Sequence, residues 1–175
     1  MLKNYFPYEY ADSIYSIDYK KLYKKGFRAL LFDLDNTLVH HGDDSTPKVD
    51  KFFADLHKMG FRTILISDND RERVERFNKN IGTRYICDAG KPSPKPYKKA
   101  LDILGVKPEE ALVLGDQIFK DILGANRAGI PSIMVKFIRL EGETHFGKRR
   151  AVENIILKVY YLTRVYTHRL GKILK

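Results

Sequence analysis

Short apolar runs alternate with amphipathic segments through the middle of the chain. Ala29-Leu30-Leu31-Phe32 is continuously apolar, as expected of a strand buried on both faces. Thr46-Pro47 opens a predicted helix with Val49, Phe52, Phe53 and Leu56 on one side, closing near Gly60. A second strand is predicted over Arg62 to Ile66, and then a helix from Arg71 to Asn80 with Val74 and Phe77 facing inward. Tyr85-Ile86-Cys87 reads as a short third strand, and Pro96 to Leu104 as a helix stopped at Gly105. Ala111 to Leu114 is the fourth strand, Asp121 to Ala128 the next helix, and Pro131 to Val135 the fifth strand. Strands separated by helices predict an α/β fold, a three-layer α/β/α sandwich on a five-stranded, mainly parallel, Rossmann-like sheet.

The 175 residues suit one domain, read as 1–175 with a core over about 27–137. Residues 1–26, rich in Tyr and Lys, read as an appendage, and about 148–175 as one long basic helix. With 43% hydrophobic and 31% charged residues the chain is globular rather than disordered. Its net charge of +10 points to an anionic partner: nucleic acid, an acidic membrane surface or a phosphorylated substrate. The single cysteine, Cys87, excludes a disulfide within the chain, fits a reducing compartment and reads as a packing residue. The N-terminus lacks the apolar run of a secretory signal, and no stretch approaches the ~18 apolar residues of a membrane span. The expected location is cytoplasmic, with any membrane contact peripheral, on the inner face.

The chemistry concentrates beyond strand ends. Asp33-Leu34-Asp35-Asn36-Thr37 follows the first buried strand, where ligands of open parallel sheets bind. One Asp there could simply make a turn, but two acids and a Thr in Asp-x-Asp-x-Thr point to a site. Ser67-Asp68 follows the second strand, a lysine (Lys91 or Lys95) the third, and Gly115-Asp116 with Asp121 the fourth. Phosphoryl transfer needs a nucleophile, a proton donor and neutralisation of the phosphate oxygens. Asp33 can be the nucleophile and Asp35 the acid/base. Asp33 and Asp116 are hard oxygen ligands suited to Mg²⁺, while Ser67 and the lysine can hold phosphate oxygens.

Asp33-Leu34-Asp35-Asn36-Thr37, Ser67, Lys91-Pro92 and Gly115-Asp116 with Asp121 resemble the four motifs of the haloacid dehalogenase superfamily, over about residues 29–135. That resemblance implies an Mg²⁺-dependent phosphatase with Asp33 as nucleophile, Asp35 as acid/base and Thr37 orienting the loop within the phosphate-binding set. It further implies Ser67 and Asp68 at the phosphate and metal ligation by Asp33, Asp116 and the Asp35 carbonyl. Asp121 would support the metal or the lysine. The family pattern of Lys-Pro, spacer and aromatic selects Lys91, with Lys95-Pro96 as second candidate. An Asp two residues after the nucleophile marks the phosphatase branches.

Neither Asp35 to Ser67 nor Ser67 to Lys91 has room for a cap domain, so the site is expected to be open to a large or surface-presented substrate. A narrower resemblance is to the YqeG-type phosphatases, related to phosphatidylglycerophosphate phosphatases, which implies an anionic phospholipid substrate. The sequence departs from that pattern at Lys120, where a small hydroxyl residue is expected. From Lys148 to Lys175 there are eight Lys/Arg and one Glu, with Val152, Ile155, Val159, Leu162, Tyr166, Leu170 and Ile173 in one stripe. Such a helix reads equally as a bilayer-surface element or as a helix docked on the core. A soluble phosphatase acting on nucleotides, nucleic-acid ends or phosphoproteins is the alternative, and a nucleic-acid-binding module without catalysis is a weaker one. His40-His41 beside Asp43-Asp44 reads as a solvated loop near the site entrance, and His57, His145 and His168 as isolated structural or exposed residues.

Overall fold

The computed structural model describes residues 2–139, 142 and 147–175, so His145 lies outside the described residues. Six parallel strands form one sheet: β1 (Glu9–Ala11), β2 (Ala29–Phe32), β3 (Arg62–Ile66), β4 (Arg84–Ile86), β5 (Ala111–Gly115) and β6 (Ser132–Val135). Their order is β1-β6-β5-β2-β3-β4. Six helices accompany them: α1 (Tyr19–Lys24), α2 (Pro47–Lys58), α3 (Arg71–Asn78), α4 (Lys95–Leu104), α5 (Leu123–Ala128) and α6 (Lys148–Thr163).

The period of two in β2 divides the core. Leu30 and Phe32 face Val49, Phe53 and Leu56 of α2 and Val74 and Phe77 of α3. Ala29 and Leu31 face Tyr97, Leu101 and Leu104 of α4 and Ala125 and Ala128 of α5. Local chemistry sets the helix ends as expected. Thr46 accepts a hydrogen bond from Val49 N at 3.3 Å, with Pro47 at the first helical position. Gly105, at φ 61°, closes α4 in the left-handed conformation.

The sheet has one strand more than the five expected. The extra strand, β1, comes from the segment read as an appendage and pairs with β6 at the edge. Three residues beginning with a glutamate have no apolar run to announce a strand. Glu9 is nonetheless buried, with a carboxylate oxygen 2.9 Å from His168 Nδ1. Ile14, Ile17 and Leu22 join the core, so residues 1–26 belong to its packing.

The tail also differs from a single helix over 148–175. The helix α6 ends at Thr163, and Arg164 takes φ 44°. The chain then returns to the body, where Asp18 N donates to Ile173 O at 2.7 Å and Leu170 and Ile173 are buried. The apolar stripe is therefore split: its distal end docks, whereas Val152, Ile155 and Leu162 remain exposed.

Candidate active site

The chain leaves β2 toward β3 on one side of the sheet and β5 toward β6 on the other, so the carboxyl ends of β2 and β5 flank the point where strand order reverses. Asp33 is the residue after β2 and Asp116 the residue after β5. Asn36 follows at φ 62°, a left-handed conformation that asparagine tolerates. Its amide donates to Val39 O at 2.7 Å, folding Asp33 to Val39 into a tight turn.

After Gln117 the backbone makes one wide π-type turn, Ile118–Ile122, before α5, a geometry frequent at functional sites. It returns buried Asp121 to the cluster, where Asp121 Oδ2 accepts from Gln117 N at 3.1 Å. A Cβ on Gly115 would lie 2.4 Å from Asp121 Cβ, so only glycine fits beneath this carboxylate.

One carboxylate oxygen each of Asp33, Asp116 and Asp121 lies within 4.8 Å of the other two, and all three residues are buried. Thr37 Oγ1 is 3.2 Å from Asp33 Oδ2 and 3.3 Å from Asp116 Oδ1, so its one hydrogen is shared between them. Thr37 thus bridges the Asp33 and Asp116 carboxylates.

Three acids packed this closely need cations. Lys91 Nζ contacts Asp33 Oδ1 at 2.5 Å and Asp121 Oδ1 at 2.8 Å. Burial works against the charge on Lys91, but Asp121 and Asp33 outweigh it and hold the amine well above its ordinary pKa. Lys95, the second candidate, is exposed at the start of α4. Arg150 supplies the second cation, pairing through Nη2 with Asp116 Oδ2. Its Nη1 donates to Asp116 O at 2.6 Å and Glu153 Oε2 at 3.0 Å. Burial, with the charge of Asp33, pushes Asp116 up to about 8, and Arg150 opposes this. Burial likewise raises Asp121 to about 6, against the pull of Lys91.

Asp35 faces the same cavity but is tied to other partners. Asn69 Nδ2 donates to it at 2.6 Å, Arg73 Nη2 at 2.9 Å and Gly42 N at 3.2 Å. Burial disfavours its charge, yet these three donors more than offset that and hold the carboxyl below its ordinary value. Ser67 Oγ accepts from Asn69 N at 3.1 Å. The Asp68 carboxylate accepts from Lys91 N at 2.9 Å and pairs with Lys120 at 2.9 Å. Engaged by these two partners, the carboxylate has no hydrogen to donate to a phosphate oxygen. Asp33, Asp35, Ser67, Asp68, Lys91 and Lys120 line one cavity of about 140 Å³. His41 stands at its mouth, Nδ1 3.3 Å from Asp35 Oδ2.

A family model described as haloacid dehalogenase-like hydrolase matches residues 41–129, half of the chain. The chain belongs to the haloacid dehalogenase-like hydrolases. A probable phosphatase, YqeG of Bacillus subtilis, is 34% identical over 137 residues, 77% of this chain and 80% of its own. A glyceraldehyde 3-phosphate phosphatase of Pyrococcus furiosus is 32% identical over 100 residues, and this chain spans 42% of its length. The cobalt-bound deoxy-D-mannose-octulosonate 8-phosphate phosphatase of Haemophilus influenzae shares the fold. That similarity has a TM-score of 0.54 at 14% identity and covers 83% of this chain and 94% of that one.

Several groups that the structure brings to this candidate site were given no role in it by sequence reasoning. Arg73 and Asn69 bind Asp35 from α3 and the turn before it, and Arg150 and Glu153 reach Asp116 and Phe119 from α6. Asn69 adjoins Ser67 in the chain and was within reach of a motif argument. Arg150 lies 34 residues from Asp116, and no local spacing announces the contact.

Proposed function

We propose that this hydrolase is a phosphatase that cleaves a phosphomonoester through an aspartyl-phosphate on Asp33. The observation that carries the reading is the single small cavity in which Asp33 and Asp35 meet Ser67, Lys91 and Lys120. It joins a nucleophile and a proton carrier to a hydroxyl and two ammonium groups that can receive phosphate oxygens. Three buried carboxylates offer the hard oxygen donors that suit Mg²⁺, and Asp33 and Asp116 would hold it with the Asp35 carbonyl. Bound there, the ion supplies positive charge against the phosphate and the carboxylates.

Asp33 attacks phosphorus, the P–O bond to the leaving group breaks, and Asp35 gives its proton to the departing alkoxide. Asp35 then takes a proton from water as that water attacks the same phosphorus. The P–O bond to Asp33 breaks, releasing inorganic phosphate and restoring the carboxylate. Lys91, held charged between Asp33 and Asp121, offsets the charge on the transferring group throughout. Asp121 positions Lys91, and Thr37 keeps Asp33 and Asp116 in register.

A cavity of about 140 Å³ takes a phosphate and little more, so the body of the substrate stays outside. Only α2 and β3 separate Asp35 from Ser67, and only α3 and β4 separate Ser67 from Lys91, so among the described residues neither interval carries a cap over the mouth. This openness and the +10 charge support an amphiphilic, anionic substrate, phosphatidylglycerophosphate, yielding phosphatidylglycerol. The test is phosphate release from phosphatidylglycerophosphate in mixed micelles with Mg²⁺, beside a panel of soluble phosphomonoesters. Preference for the lipid, abolished by Asp33→Asn, is the expected result. Turnover of soluble esters alone keeps the chemistry and refutes the lipid.

A further inference from the structure

The helix α6 presents two unlike faces. Glu153 and Tyr160 are buried against the body, with Tyr160 stacked on Phe6 at 5.8 Å. Ile155 and Leu162 lie on the opposite side and stay in solvent, Val152, 45% exposed, stands at the edge facing the body, and Val165 is exposed past the helix end. Leu162 is 82% exposed, Val165 79% and Ile155 61%, and Ile155 and Leu162, seven residues apart, share one face of the helix.

The chemistry of the flanks selects the occupant. Lys148 and Arg149 open the helix, Lys158 borders the stripe and Arg164 follows it. Glu153, the one acid between residues 148 and 175, is buried in its pair with Arg150, so α6 and the tail expose no acidic side chain, and Asp12 is close enough to Tyr161 to add to the rise that burial gives its pKa. A second copy would set these cations against themselves. An apolar stripe rimmed by Lys and Arg matches the boundary of an anionic bilayer, with acyl chains receiving the stripe and headgroups the cations.

A second feature ties that face to the catalytic cavity. A cavity of about 490 Å³ runs between Lys91, Phe119 and Lys120 on one side and Lys148, Arg149 and Val152 on the other. It shares Lys91 and Lys120 with the cavity that holds Asp33. Its lining joins the cations of Lys91, Lys120, Lys148 and Arg149 to the apolar side chains of Phe119 and Val152.

We propose that the exposed face of α6 seats the protein on an anionic lipid bilayer, with the Lys91–Val152 cavity opening onto the headgroups. This deepens, and for its purpose rests on, the lipid-phosphatase reading above. Lys120, Lys148 and Arg149 would receive a second anionic group of the headgroup while its terminal phosphate sits at Asp33.

The test uses the full chain and vesicles without any phosphomonoester, so docking is read apart from turnover. Flotation is compared on phosphatidylcholine vesicles with and without 30 mol% phosphatidylserine (roughly the charge of an acidic leaflet). Wild type is compared with Ile155→Glu/Leu162→Glu, each also assayed on p-nitrophenyl phosphate without lipid. The expected result is strong partition of wild type to the anionic vesicles alone, and at least a tenfold loss in the variant. Hydrolysis of the soluble ester should be unchanged, since neither residue touches the site. Equal partition of the two proteins, or none by either, overturns the proposal, as does a concentration-dependent dimer that the variant abolishes. Docking by a protein that hydrolyses no ester would instead refute the phosphatase reading and leave the docking face standing.

Discussion

Replacing Arg150 by methionine should destabilise the metal-free protein by about 2–4 kcal/mol. Arg150 neutralises two buried acids, Asp116 at 0% and Glu153 at 4% side-chain exposure, and is itself only 18% exposed. Breaking a buried ion pair by deleting one partner costs ~3–5 kcal/mol, because the remaining charge stays buried. Here the cost has a ceiling. A carboxylate with an ordinary pKa near ~4 can be neutralised at pH 7 for ~4 kcal/mol, at ~1.4 kcal/mol per unit. Asp116, already pushed up to about 8, accepts a proton readily, so most of the cost falls on Glu153, which keeps only its bond from Phe119 N at 3.3 Å. Arg150 also lies 4.8 Å from the Phe137 ring centre, and methionine preserves part of that packing. The assay is urea unfolding in EDTA at pH 7 followed by circular dichroism, since the chain has no tryptophan. At ~2–4 °C per kcal/mol the melting temperature in a parallel thermal scan should fall by about 4–16 °C. The decisive control is Arg150→Met/Glu153→Gln, which should recover about 1–2 kcal/mol of the loss through the removed charge. A single variant costing under ~1 kcal/mol, or a double variant no better than the single, would refute the reasoning.

Other outcomes follow from the same geometry. A Cβ on Gly124 would lie 2.3 Å from Tyr97 Cε2 in a closed part of the core, so Gly124→Ala should cost at least ~2 kcal/mol by thermal unfolding. In EDTA, Asp116 at about 8 and Asp121 at about 6 keep protons that the unfolded chain releases near pH 4. Their contribution is full below pH ~4 and lost as pH rises toward 8, at up to ~1.4 kcal/mol per unit for each proton difference. Urea unfolding at pH 5 and pH 8 should show the lower stability at pH 8, and the opposite slope would contradict the burial of these acids. Asp35, held low by Asn69, Gly42 and Arg73, must carry a proton to act as an acid. Arg73→Leu should therefore move the alkaline limb of kcat/KM for a soluble ester upward by about 1 pH unit, and an unmoved limb would remove Asp35 from that role.

Much of this architecture is legible in the chain because the central strands are extreme. β2 and β5 are buried along their whole length and admit only apolar residues, so their ends, and the acids just beyond, stand out. The helices announced themselves through Thr46-Pro47, Gly60 and Gly105, whose local chemistry is independent of tertiary context. What stayed hidden depends on distant partners. β1 is a strand only because β6 offers it an edge, and buried Glu9 is met by Tyr10 N on one oxygen and by His168, 159 residues away, on the other. The tail helix broke at Arg164 because Leu170 and Ile173 find a core site against the segment around Ile17 that a continuous helix would forgo.

The hidden contacts share one electrostatic purpose, and this explains why motif reading found the acids and Lys91 but gave no place to Arg73 or Arg150. Asp33, Asp116 and Asp121 are placed by strand ends and a single turn, so their spacing is written locally. Three buried carboxylates within 4.8 Å repel one another and take up protons, and only positive groups fixed beside them oppose this. Those groups must arrive on long side chains from other elements: Lys91 from beyond β4 and Arg150 from α6, with Arg73 of α3 serving Asp35 in the same way. Each cation is held by more than one acceptor, Lys91 by two acids and Arg150 by Asp116 and Glu153. The helix whose outer face is apolar and basic is thereby also the helix that fixes the geometry of Asp116. Loss of α6 from the body would release Arg150 and leave the most deeply buried carboxylate of the cluster without its counter-charge.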